Sequence, residues 1–342
     1  MRKIIALLAV FVLFSGCSRA PQKYQTEFFD SFDTITTVTA YCKNESEFDK
    51  YAAAVHDEML RLHRLFDIYN TYDGINNLKT VNDMAGIAPV VCEPELITLV
   101  TLGVSAFTET SGVVNIALGS VLRIWHDARI AASENPANAA VPSADALTKA
   151  AQHTDIGGVI IDVEAGTIFL ADTETSLDVG STAKGWAVER AAQLVRKAGL
   201  KSGIISAGGN IVAIGSPADG RKSWSVGIRN PKGGDMFDVA SAVDISIVTS
   251  GGYERNFTSG GKTYHHIIDP ETLIPAVDFD AVTVLHPDSA IADMLSTALF
   301  VLPPDEAREF AAQYSADALW IFADGSHTAT DGYLSRSEHL GK

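Results

Sequence analysis

From Glu47 to Phe66 apolar residues recur at helical spacing, with Tyr51, Val55, Met59, Leu62, Leu65 and Phe66 on one face. That period predicts an amphipathic helix. Upstream, Glu27–Tyr41 carries FDTITTVTAY, whose alternating Thr, Val and Ile read as a strand. Ile75–Ala85 is polar with scattered apolar positions and predicts a short helix and loop. Pro94–Thr110 returns to helical spacing, and GVVNIALGSVLRIW follows over Gly112–Trp125. Ile130–Ala144 is rich in Ala, Asn and Pro without a period, so an inserted, mobile surface segment is expected there.

The second half is richer in strands. Gly158–Leu170 reads as a hairpin about Glu164-Ala165-Gly166. A helix beginning near Lys184 runs to Ala198, and Ser202–Gly215 is a buried-looking strand interrupted by Gly208-Gly209. Further strands are expected at Trp224–Ile228, Val239–Val248, Thr263–Ile268 and Ala281–Leu285. Helices should follow at Ala290–Phe300 and Asp305–Tyr314, with a last strand at Ala318–Phe322. Strands and helices mix without a regular βαβ alternation. The pattern predicts an α+β fold of mixed, mainly antiparallel sheets flanked by helices. At 342 residues the chain is long enough for one large body or two intimately packed subdomains.

The first residues read as a leader. Arg2 and Lys3 precede an apolar run from Ile4 to Phe14, too short for a stable bilayer span, and Ser15-Gly16-Cys17 follows. This resembles a bacterial lipoprotein signal over residues 1–16, with lipid attached at Cys17, a tether over 17–26 and the folded domain over 27–342. An extracytoplasmic, lipid-anchored protein is expected. The net charge is −16, and more negative still without Arg2 and Lys3. General electrostatics therefore exclude nucleic acid and anionic lipid surfaces as partners. A phosphate ligand would need a divalent cation or local donors to offset that charge. Beyond Cys17 only Cys42 and Cys92 remain, which offer no zinc-ligand spacing and are expected to be separate buried thiols.

Against this background LDVGSTAKGW, Leu177–Trp186, is the most informative stretch. An acidic residue, Asp178, ends a β-like run, small residues follow, and a helix starts whose free N–H groups can face an anion. Asp293 and Thr297, in ADMLSTAL, are one helical turn apart and offer a carboxylate and a hydroxyl to a hard cation such as Mg²⁺. A capping Asp and a Thr bonded back to its own helix would explain the same pair. YHHIIDP places His265 and His266 at a strand end, where one could act as a base and either could simply pack. In TSGGYERNF, Gly251-Gly252 permits close backbone approach, and Arg255 or Tyr253 could meet a phosphate or an aromatic ring. Gly208-Gly209-Asn210 could serve similarly. Neither a Walker-type loop nor a Gly-x-Gly-x-x-Gly, Gly-x-Ser-x-Gly or HExxH motif occurs.

FDTITTVTAY, GVVNIALGSVLRIW, LDVGSTAKGWAVE, SAGGNI, WSVGIRNP, VTSGGYERNF, HHIIDP and ADMLSTAL stand in the order found in the ApbE-like family of FAD:protein FMN transferases. The chain resembles that family from about Phe29 to Leu302. The resemblance implies a Mg²⁺-dependent enzyme that moves the FMN half of FAD onto a Ser or Thr hydroxyl of an acceptor protein and releases AMP. It also admits an FAD pyrophosphatase, and a non-catalytic FAD-storage lipoprotein is the reading from another class. Carried over, Asp293, Thr297 and Ser181 would hold the metal, and His266 would deprotonate the acceptor. Asp178 would contact the adenine side of FAD and Lys184 another part of the nucleotide. Phe32, Tyr69, Val113, Val114, Asn115 and Ile267 would line the FAD pocket. The acceptor implied is a membrane-associated redox protein, such as a subunit of an Rnf or sodium-pumping NADH:quinone reductase complex. Four positions depart from the family pattern: Phe32 for the commoner Met, Asn210 and Ser296 for Asp, and Leu273 for Gly after the DPxT turn.

Overall fold

The computed structural model describes residues 20–341. The leader, Cys17 and the first part of the tether lie outside the described residues. Eight strands form one antiparallel sheet in the order β1 (Gln22–Ser31), β2 (Thr34–Cys42), β6 (Gly203–Ala207), β7 (Asn210–Ile214), β10 (Ser246–Gly251), β13 (Phe279–His286), β14 (Asp317–Phe322) and β15 (His327–Ala329). Three small antiparallel sheets accompany it. They pair β3 (Val90–Val91), β5 (Thr167–Leu170) and β4 (Val159–Asp162); β8 (Trp224–Ile228) with β9 (Asp238–Ala242); and β11 (Asn256–Ser259) with β12 (Lys262–His265). The helices are α1 (Glu45–Phe66), α2 (Leu78–Asp83), α3 (Pro94–Glu109), α4 (Gly119–Glu134), α5 (Ala144–Ala150), α6 (Ala183–Lys197), α7 (Ser289–Val301), α8 (Pro304–Gln313) and α9 (Asp331–Leu334). The α+β class expected from the pattern is the one observed.

Alternation along the strands explains why both faces of the large sheet are covered. Val282 and Val284 of β13 point into a cluster with Leu295, Leu299 and Phe300 of α7. Ala281 and Leu285, on the opposite face, pack with Trp224 and Val226 of β8 and with Tyr333 of α9. Toward the other edge, Val38, Ile205 and Val212 pack against Val55, Met59 and Leu62 of α1 and Val188 and Val195 of α6. Fully burying one such aliphatic side chain contributes roughly 1.5–3 kcal/mol. No helix among the described residues is long and apolar enough to cross a membrane. Cys42 and Cys92 are separate, buried and free, and burial pushes both thiols up to about 11.

Several boundaries differ from the expected ones, each for a local reason. The run over Glu27–Tyr41 is two strands, because Phe32 and Asp33 turn the chain with φ of 54° and 50°. A two-residue turn of that hand usually carries Gly, Asn or Asp at both positions, so Phe32 hid it. β1 begins at Gln22, inside the stretch read as tether, and Tyr24 stacks on Phe48 at 5.6 Å. Ile130–Ala144 is only partly irregular: α4 continues to Glu134 and a single turn follows at Pro136–Asn138, while the rest is largely exposed, with Ser259 donating to the Ala139 carbonyl at 2.7 Å. Gly208 and Gly209, with φ of 49° and 92°, are the turn of the β6–β7 hairpin rather than a break in one strand. Val239–Val248 likewise divides into β9 and β10, with Asp244 at φ 46° between them.

Candidate active site

A cavity of ≈ 950 Å³ opens where the β1–β2 and β6–β7 turns, the end of β10 and the start of α6 meet. The two hairpin turns press together so closely that a Cβ on Gly208 would meet Thr34 Oγ1 at 2.2 Å. The cavity wall includes all twelve pocket, metal and base candidates: Phe32, Tyr69, Val113, Val114, Asn115, Asp178, Ser181, Lys184, His266, Ile267, Asp293 and Thr297. They come from six separate stretches of chain, so their convergence is a property of the fold.

The deepest wall joins two helices. Asp293, 4% exposed, lies in α7, and its Oδ2 accepts a 2.7 Å hydrogen bond from the Gly185 N–H in the first turn of α6. It thus caps a helix other than its own, supplying negative charge where the α6 dipole is positive. Only glycine permits the approach, since a Cβ at 185 would meet Asp293 Cβ and the Ser289 carbonyl, each at 2.3 Å. Asp293 Oδ1 carries no hydrogen bond among the described residues. Neither does the Thr297 hydroxyl, although Thr98, Thr101 and Thr110 bond back to their own helices at 2.7–2.8 Å. A free carboxylate oxygen and a free hydroxyl one turn apart, with Ser181 on the same wall, are hard donors that fit Mg²⁺. Ser296 is satisfied internally, through Ser250 Oγ at 2.8 Å and the Asp293 carbonyl at 2.9 Å. Lys184, next to Gly185, donates to Asn210 Oδ1, so the Asn that departs from the family pattern orients this cation.

Asp178 sits on the neighbouring loop, and its Oδ1 accepts the Gly180 N–H at 2.8 Å. Part of its surface is open to the cavity, yet the surrounding protein is dense. Burial holds its carboxyl above the usual range, partly offset by the Gly180 N–H and by Arg255 and His126. The loop is zipped to the 110–118 segment: the Asp178 N–H donates to the Ile116 carbonyl at 2.8 Å and Gly119 N–H to Ser176 at 3.0 Å. Within that segment Val114 is buried at 2%, and Asn115 spends its amide on Thr154 O and Ala117 N. Val114 and Asn115 therefore build the wall more than they present chemistry. Ile267, 7% exposed, does the same.

The two histidines separate cleanly. His265 Nε2 donates to the Ala276 carbonyl at 2.9 Å, its Nδ1 accepts the Ile267 N–H at 3.2 Å, and its ring stands edge-on to Phe300. It is a neutral packing residue. His266 projects into the cavity with much of its surface open. Desolvation by the surrounding wall, with the positive charges of Arg255 and Lys184 and the neighbouring His265, pushes its pKa down to about 3. The ring is consequently neutral near pH 7, and an anion beside Arg255 and Lys184 would raise its affinity for a proton.

An aromatic wall completes the cavity. Trp125 and Phe257 flank Tyr264 at 5.8 and 5.6 Å, an arrangement no single motif announced. Tyr69, half-exposed, tilts against His126 at 5.0 Å, and burial and Asp178 push its phenol up to about 12. Sequence reasoning also passed over two residues that hold others. Asp67 accepts from the Tyr69 and Asn70 N–H groups, the Asn70 side chain and the Tyr72 hydroxyl, fixing the turn that presents Tyr69. Asn82 bonds both the N–H and the carbonyl of Leu177, the residue before Asp178. Either function needs the three-dimensional partner to be visible. Phe32 is held at the cavity mouth by its N–H to His63 Nδ1 at 3.3 Å and by edge-on ring contact with that residue.

The family model that matches is that of the ApbE family, over residues 32–320. The chain belongs to the ApbE family. An FAD:protein FMN transferase of Treponema pallidum is 37% identical over 322 residues, covering 89% of this chain and 86% of the relative. One from Escherichia coli K12 is 25% identical, covering 95% and 94%. The crystal structure of the ApbE protein from Thermotoga maritima is similar with a TM-score of 0.80 at 26% identity, covering 91% of this chain and 98% of that one. The flavin transferase ApbE from Vibrio cholerae shares the fold at a TM-score of 0.76 and 19% identity. The Treponema, Escherichia and Vibrio relatives are transferases by name.

Proposed function

We propose that this chain is an FAD:protein FMN transferase that moves the FMN half of FAD onto a Ser or Thr hydroxyl of an acceptor protein and releases AMP. The observation that carries the reading is the unpaired Asp293 Oδ1 beside an unbonded Thr297 hydroxyl, in one cavity with a neutral His266. Asp293, Thr297 and Ser181 would hold Mg²⁺, which when bound would neutralise charge on the pyrophosphate. Lys184, fixed by Asn210, adds a second positive charge to the same wall. Asp178 and Tyr69 orient the nucleotide and flavin ends, and the Trp125–Tyr264–Phe257 wall excludes water. The acceptor hydroxyl gives its proton to His266 while its oxygen bonds to the FMN phosphorus. The bond from that phosphorus to the bridging oxygen breaks, and AMP leaves with the bridging oxygen.

The leader and Cys17 support an extracytoplasmic, lipid-anchored location. There the acceptor would be a subunit of an Rnf or sodium-pumping NADH:quinone reductase complex. Incubating the purified chain with FAD, Mg²⁺ and such a subunit should yield AMP and a covalently fluorescent acceptor in equal amounts. AMP without labelled protein would replace transfer by hydrolysis. FAD binding with neither product would replace both by storage. Loss of incorporated lipid in Cys17→Ser tests the anchor.

A further inference from the structure

Four arginines line the cavity, and three of them have a side-chain partner within 4.0 Å. Arg229 pairs with Glu254 at 2.6 Å, Arg129 meets His126 Nδ1 at 3.3 Å, and Arg123 faces Asp127 at 4.0 Å. Arg255 alone of the four has no hydrogen bond or ion pair through its guanidinium among the described residues, although Asp178 lines the same cavity. Its placement is built rather than incidental. Arg255 ends the short turn between β10 and β11, which is pinned by Gly252 N–H to the Asp280 carbonyl at 3.1 Å and by Asn256 Nδ2 to the Gly252 carbonyl at 2.9 Å. The turn rests on the ring of His265, so close that a Cβ on Gly252 would meet it at 2.6 Å. His265 is itself locked by Ala276 and Phe300. A rigid platform therefore presents five unused donors to the cavity, beside His266.

We propose that Arg255 is a phosphate-binding residue, which grips the pyrophosphate of the dinucleotide in the cavity it shares with the Asp293–Thr297 pair. This inference rests on the reading of the cavity as an FAD site. Its positive charge is felt at Asp178, Tyr69 and His266, which places it among the groups that would surround the ligand. A planar fork matches two phosphate oxygens at once, which a lysine at the same place does not. In a chain of net charge −16, an unpaired guanidinium in the cavity gives an anion a local reason to enter.

The test compares FAD, FMN and riboflavin binding by flavin fluorescence, with and without Mg²⁺, in the wild-type chain and in Arg255→Ala and Arg255→Lys. Removing the fork should weaken FAD roughly 10- to 100-fold and leave riboflavin within about twofold, with Arg255→Lys between them. Equal weakening of FMN would put the grip on the FMN-side phosphate, and FAD weakened alone would put it on the AMP side; both support the proposal. Unchanged FAD affinity in Arg255→Ala, or riboflavin and FAD weakened alike, overturns it. Melting curves of both variants identify a folding defect, in which case the Arg255→Lys ratio decides. A wild-type chain that binds FAD but transfers nothing overturns the proposed activity and not this residue's role. Failure of the wild type to bind either phosphorylated flavin overturns both.

Discussion

The two walls of the cavity are built on different terms. At the α6–α7 wall Asp293 is buried, caps a neighbouring helix, and meets a glycine that tolerates no side chain. At a second wall His266 and Arg255 stand exposed to the cavity on a strand end and a turn. The first wall ties chemistry to stability, because the same carboxylate serves both. The second leaves them separable, so it is where function can change without endangering the fold.

The largest effect should come from splitting the double role of Asp293. Asn keeps an acceptor for Gly185 but loses the charge, so Asp293→Asn should cut AMP release by at least about 1,000-fold while barely moving the melting temperature. Asp293→Ala should do both, since it strands the Gly185 N–H. If Asn and Ala melt alike, the cap contributes nothing and the comparison collapses. On the open wall, His266→Gln should lower transfer about 100-fold with little loss of stability at pH 7.

His266 also carries a pH signature. Its folded pKa of about 3 lies below the ordinary 6.5, so between those values the unfolded chain binds a proton that the folded chain does not. Stability should therefore fall as pH drops through that window, and His266→Gln should flatten the dependence of melting temperature on pH. An unchanged slope would remove the residue from this account. Gly185→Ala, on the closed wall, should destabilise by about 1–3 kcal/mol, read from denaturant unfolding, because the helices must part. The smallest effect belongs to Leu273, whose φ of 62° suits the glycine common in the family and whose side chain packs by Trp125. Leu273→Gly should stay within about 1 kcal/mol of the parent, strain relief offsetting lost contact.

Much of the closed wall was legible in the chain, because helical period and the i, i+4 spacing of Asp293 and Thr297 are local properties. So was the gathering of Asp178, Ser181 and Lys184 at a helix start. What escaped depends on long-range neighbours. Nothing local says that β2 pairs with β6, or that Gly185 faces Asp293 rather than solvent. The choice between His265 and His266 needed Ala276, and the choice between Tyr253 and Arg255 needed the other cavity arginines and their partners. The β1–β2 turn was missed because Phe32 occupies a conformation its residue type disfavours, held there by His63. Asp67 and Asn82 were passed over since each acts on backbone groups that only the fold brings near.

The free, buried thiols have a consequence for durability under oxidation. With pKa values near 11, Cys42 and Cys92 hold roughly one thiolate in ten thousand at neutral pH. The thiolate is the form that attacks peroxide and thiol-exchange reagents, so both side chains should react only as fast as the fold opens. The described body contains no disulfide, and reductants have no covalent link there to cut. Its stability should accordingly be the same in reducing and oxidising buffers.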